Sequence, residues 1–120
     1  MQSLSVNSFR RMWPVDQYGK WAELDYDSAT YPPFACGSGY VLGNHLVQLL
    51  IKNQEHLFPF QGEDVSMGIW TSPFNPKRVQ DDRWLCSSKD LGVKSQDFIS
   101  VPDVNEEDMH QLNNFKSTLK

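Results

Sequence analysis

Glu63 and Asp64 stand side by side within Phe60–Trp70, "FQGEDVSMGIW", among aromatic, aliphatic and small residues. Two kinds of chemistry suit adjacent acids in that company. At the start of a helix they face unpaired N–H groups and the positive end of the helix dipole. At the rim of a cleft, one carboxylate can serve as a general base that takes a proton from a bound hydroxyl. Gln61-Gly62 would lead into the helix, and Val65, Gly68 and Ile69 fall at i, i+3 and i+4 on one apolar face. This stretch alone leaves both readings open.

A second group of candidates lies upstream in "CGSGYVLG", Cys36–Gly43. Gly37, Ser38 and Gly39 allow close approach of backbone to a ligand, and equally a plain tight turn, before a Tyr40-Val41-Leu42 strand. Tyr40 and Trp21 offer faces on which a sugar ring can stack, although large aromatics more often fill a core. Trp70 and Trp84 are assigned to that core. His45, His56 and His110 lack metal-ligand spacing and read as surface residues. Cys36 and Cys86 are the only cysteines, which excludes a zinc ribbon or a disulfide-dense scaffold. They are either two buried thiols or one bridge. A bridge would hold their Cα atoms roughly 4.4–6.8 Å apart.

The elements that must position these groups come from a chain of 120 residues, 39% hydrophobic, enough for one modest domain. Eleven basic against fifteen acidic residues give a net charge of -4, and the basic ones are scattered, so nucleic acid is excluded as a partner. Met1–Val15 has no apolar signal-peptide core, and Leu46–Ile51 is far too short to span a bilayer, so a soluble chain without a targeting signal is expected. Ser3–Trp13 reads as a strand lead-in, Asp16–Gly19 as a turn and Asp25–Pro33 as an ordered loop that Pro32-Pro33 keeps extended. Asn44 is expected to cap a helix from His45 to about Asn53, buried nearly all round by Leu46, Val47, Leu49, Leu50 and Ile51. An edge strand at Lys77–Gln80 follows two prolines. Asn105 with Asp108 is capping-box-like, and Met109, Leu112, Phe115 and Leu119 form the stripe of a last helix. Mixed α and β structure follows, with loops carrying the polar and aromatic chemistry.

In order along the chain, "KW", "YPPFACGSGYVLG", "GEDVSMGIW", "PKR" and "WLC" resemble the acceptor-side part of the β-1,3-glycosyltransferase family, which includes the β-1,3-galactosyltransferases and N-acetylglucosaminyltransferases. The resemblance covers Gly19–Cys86, with 87–120 a divergent tail, and implies an α/β chain that is the C-terminal half of a GT-A-type domain with a mixed sheet and about three helices. It implies inverting transfer of a hexose, N-acetylgalactosamine, from a UDP-sugar to a glycan on protein. Asp64 would be the base; Glu63, Gly37, Ser38, Gly39, Tyr40 and Trp21 would bind acceptor. Mn2+ is the family's cofactor, held by an Asp-x-Asp motif in the other half and by a histidine where this chain has Val101-Pro102. The chain is therefore expected to lack both ligands, to be truncated and to be inactive alone. A membrane anchor would belong to the other half, and a bridge between Cys36 and Cys86 would fit a Golgi or endoplasmic reticulum lumen. The alternative is a non-catalytic carbohydrate-binding or scaffold fragment.

Overall fold

The computed structural model describes residues 4–7, 9–87, 89 and 99–118. Strand β1 (Leu4–Asn7) is the centre of a three-stranded mixed sheet. It pairs antiparallel with β4 (Val41–Leu42) and parallel with β5 (Lys77–Gln80), with Ser5 opposite both Leu42 and Arg78. Lys77–Gln80 is thus an edge strand, as its preceding prolines suggest. A two-stranded antiparallel sheet joins β2 (Phe9–Arg10) to β3 (Phe34–Ala35). The expected single lead-in over Ser3–Trp13 is therefore divided between two sheets, Ser3 lying outside the described residues. Around the break, the Phe9 N–H donates to the Gln80 side chain at 3.1 Å.

Helix α1 spans Asn44–Lys52, and its N-cap is the extended Gly43, with no side-chain cap bond. Asn44 is the first helical residue, which corrects its assignment as the cap. Burial is also one-sided: Leu46 and Leu50, four apart on one stripe, are covered, whereas Ile51, about 100° further round, is 59% exposed. The aliphatic run Leu46–Ile51 is therefore covered on one face and open on the other.

Helix α2 (Glu63–Thr71) and its capping residue Gly62 lie where the sequence places them. Its apolar face is real: Val65 and Ile69 pack on the cluster of Val15, Tyr31 and Phe34, extended by Tyr26. Tyr31 meets Phe34 edge to face at 5.9 Å, and Tyr26 meets Phe60 the same way at 5.5 Å. Buried Ser66 closes the preceding loop by accepting from the Phe60 N–H and donating to the Phe60 carbonyl. Trp70 is only half-buried, its Nε1 donating to the Phe58 carbonyl at 2.7 Å, so it borders the core rather than filling it.

Helix α3 (Glu106–Thr118) starts with the reciprocal bonds of a capping box: Asp108 N–H to Asn105 Oδ1 at 2.8 Å, and Asn105 N–H to Asp108 Oδ2 at 3.1 Å. Met109 on its expected apolar stripe is 56% exposed and Leu112 half-buried; Leu119 lies outside the described residues. Among the described residues, no helix is long and apolar enough to cross a membrane.

Candidate active site

Glycine at position 62 has φ 84°, a conformation other residues rarely adopt, and it turns the chain so that Glu63 and Asp64 both enter the first turn of α2. The two acids then part, because adjacent helical residues point about 100° away from each other. Glu63 is exposed and its Oε2 accepts the Tyr40 hydroxyl at 2.5 Å. Asp64 is half-buried; its Oδ1 accepts the Val65 N–H at 2.9 Å. Its Oδ2 has no hydrogen-bond partner among the described residues. Bare backbone crowds this carboxylate on two sides: a Cβ on Gly37 would lie 3.3 Å from Oδ2, and one on Gly62 would lie 3.0 Å from Oδ1.

Asp64 faces an open cleft of about 470 Å³ whose walls include Trp13, Trp21, Gly37, Ser38 and Gln61. Trp21 is 56% exposed with the Lys20 ammonium 4.7 Å from its ring centre, so it is no core residue. Trp13, not among the site residues expected from sequence, is 42% exposed under the Arg10 guanidinium at 4.4 Å. Its stretch lacks apolar periodicity, and that was the signal available that its indole would face outward. Pro102 and Asp103, from the segment expected to diverge, complete the lining.

Other candidates fall elsewhere. Tyr40 lines a narrow crevice on the far side of Asp64, together with Arg78. Burial first, then the hydrogen bond to Glu63, pushes the Tyr40 phenol well above its ordinary value, so it stays protonated and donates to Glu63. Burial, then the nearby Arg11, lowers the Arg78 guanidinium. Gly39 (φ 121°) faces Trp84: a Cβ there would lie 2.8 Å from the indole Cζ3. The space its missing side chain leaves is filled by protein. Trp84 itself is half-buried, and its buried Nε1 has no hydrogen-bond partner among the described residues. Cys36 and Cys86 form a disulfide with Cα atoms 5.5 Å apart, within the range expected of a bridge. Beside it, the Ser100 hydroxyl donates to the Ser38 carbonyl, so the Gly37–Gly39 loop is held from the C-terminal side.

Asp25-Tyr26-Asp27 carries the Asp-x-Asp spacing, which corrects the expectation that the chain has none. Both acids are exposed, while Tyr26 between them packs on Tyr31 and Phe60. Among the described residues, no three His, Cys, Asp or Glu side chains come together to hold a metal ion. The described residues do not assemble a site for a divalent cation.

Comparison with known proteins adds one family match and three relatives. Residues 9–82 match the galactosyltransferase family. The chain is 49% identical over 110 residues to the zebrafish (Danio rerio) UDP-GalNAc:beta-1,3-N-acetylgalactosaminyltransferase 2, which covers 92% of this chain and 22% of that protein. It is 56% identical over 79 residues to the human protein of the same name (66% and 16%), and 35% identical over 92 residues to mouse beta-1,3-galactosyltransferase 6 (76% and 28%). The chain thus spans less than a third of the length of each of these relatives.

Proposed function

Because the chain belongs to the galactosyltransferase family, we propose that it supplies the acceptor side of a GT-A-type, inverting β-1,3-glycosyltransferase. Asp64 is the general base. The observation that carries this is the division of its two oxygens: Oδ1 is fixed by the Val65 N–H, and Oδ2 is unclaimed beside Gly37 in the cleft. An acceptor hydroxyl bound there loses its proton to Oδ2 as its oxygen attacks the anomeric carbon from the face opposite the leaving nucleotide. Proton removal of this kind is worth about 10²–10⁴-fold in rate. Gly37 and Ser38 let the acceptor come close to backbone, and Trp21 gives its ring an apolar face.

The names of the relatives support UDP-N-acetylgalactosamine as donor and a glycan as acceptor. The Cys36–Cys86 disulfide supports an oxidising compartment, the lumen of the endoplasmic reticulum or Golgi. Mn2+, expected from the family, would be held by residues outside this chain, and no step above runs through it.

The test is transfer from UDP-N-acetylgalactosamine to a glycan acceptor by a transferase that contains these residues together with the rest of the family domain. Asp64→Asn keeps shape and hydrogen bonding but cannot take the proton, so kcat should fall by roughly 10²-fold or more with an unchanged melting temperature. Near-normal kcat in that variant would remove Asp64 as the base. Glycan binding with no transfer by the wild type would favour the carbohydrate-binding reading instead.

A further inference from the structure

Glu23 is a carboxylate that the chemistry above does not use, yet it is only 4% exposed. Its Oε1 accepts the Asp25 N–H at 3.1 Å, and its Oε2 accepts the Gln61 N–H at 2.5 Å, across 38 positions of sequence. Its own N–H donates to the Asp16 carbonyl at 2.9 Å. One side chain therefore joins the loop that carries Trp21 to the residues that lead into α2 and Asp64. Those are two walls of one cleft.

We propose that Glu23 is a positioning residue for Asp64: it fixes the start of α2 against the Trp21 loop and so sets where Oδ2 meets the acceptor hydroxyl. The proposal rests on the reading of Asp64 as the base. A carboxylate is needed because two inward-pointing N–H groups require two acceptors, and an ionised group accepts both without a proton of its own. An amide offers one oxygen and turns an NH2 toward the second donor, leaving that N–H without this partner. Gly62, the next residue after Gln61, is held at φ 84° and imposes no rigidity of its own, so the entry to α2 is set by the residues before it, Gln61 held by Glu23 and Phe60 held by Ser66. Displacement of a reacting group by about 1 Å is enough to cost on the order of 10²-fold in rate.

The experiment measures Glu23→Gln in the transferase that contains this chain, beside Asp64→Asn. The expected result is a folded enzyme whose kcat falls about tenfold or more while KM for the UDP-sugar stays unchanged. Amide exchange at Gln61 should accelerate in parallel. A staple with a purely structural role gives a different pattern: activity falls only with the folded fraction and kcat per folded enzyme is unchanged, which would overturn the proposal. If Glu23→Gln does not fold, Glu23→Asp carries the same test, since it keeps the charge but is one methylene short of spanning both donors. Failure of the base assignment is separable: there Asp64→Asn remains active. Inactive Asp64→Asn with fully active, folded Glu23→Gln sinks the positioning role alone.

Discussion

The seat of α2 and the wall built by residues 84–87 and 99–103 lie on either side of the same cleft but are held by different means. The α2 seat is a steric fit. Gly68 sits so close to β3 that a Cβ would lie 2.4 Å from Phe34 Cβ and 3.0 Å from the Pro33 carbonyl, and Val65 and Ile69 fill the space on either side. The C-terminal segment is held at points: the Cys36–Cys86 bridge, the bond from Ser100 to Ser38, the paired backbone of Leu85 and Ser100, and Trp84 over Gly39. Packing seats the helix that carries the base, with Glu23 holding the residues that enter it, and tethers place the wall opposite. A steric fit has no loose form, whereas a tethered wall can move while the base stays put.

The largest effect should come from cutting the strongest tether. Replacing both Cys36 and Cys86 by serine opens a loop of 50 positions, worth about 4 kcal/mol in the chain-entropy model. If the contrast is right, amide exchange rises first at residues 84–87 and 99–104, while the α2 amides keep their protection relative to global unfolding. Equal loss of protection on both sides would show that the seat depends on the bridge and would break the comparison.

Next in size is Gly68→Ala. Its Cβ meets backbone and a buried aromatic rather than a flexible side chain, so the added methyl should destabilise by about 1–3 kcal/mol, seen as a lower midpoint in denaturant with an unchanged slope. Here the tethers should give no protection, because the clash lies on the packed side. An unchanged midpoint would mean that α2 can shift off β3, and that the seat is not a tight fit. Smaller still is Asn105→Ala, which removes one half of the capping box and should cost about 1 kcal/mol locally. With Met109 exposed, that loss should appear as fraying of the first turn of α3 and leave the global midpoint nearly unmoved.

The same contrast explains what could be read from the sequence. Packing leaves a period: Val65, Gly68 and Ile69 announced the buried face of α2, and the prolines before Lys77 announced an edge strand. Capping also leaves a local signature, visible in Asn105 and Asp108. Tethers between distant residues leave none. Glu23 bonding to Gln61, Ser100 reaching Ser38 and Trp84 filling the space over Gly39 join positions whose partners no spacing rule connects. Hence sequence proximity groups Gly39 and Tyr40 with Gly37 and Ser38, whereas in the fold Gly39 faces Trp84 and Tyr40 lines the crevice with Arg78. Asn44 was misread for a related reason: an extended glycine serves as the cap without any side-chain bond, so the residue type that favours capping fell one position inside.

The smallest effect tests how the two acids at the start of α2 share their work. Burial, and after it the hydrogen bond to Glu63, raises the Tyr40 phenol above its ordinary 10.0, with the charges of Glu63 and then Asp64 adding less. A phenol whose folded pKa is raised keeps its proton in the folded state after the unfolded chain has lost its own. The stabilisation is therefore fully present below the ordinary value and declines as pH rises above it, so around neutral pH stability does not vary with pH on its account. Followed by tyrosinate absorbance, Tyr40 should resist titration in the wild type, and Glu63→Gln should bring its titration down toward the ordinary range. The melting temperature at neutral pH should hardly change, since the Tyr40 hydroxyl can still donate to the amide oxygen of glutamine. Asp64→Asn should move the same titration in the same direction but less, because Asp64 acts on Tyr40 only through its charge. If Asp64→Asn shifts Tyr40 more than Glu63→Gln does, then Asp64 and not Glu63 is the acid turned toward β4, and the unclaimed oxygen in the cleft belongs to the wrong residue.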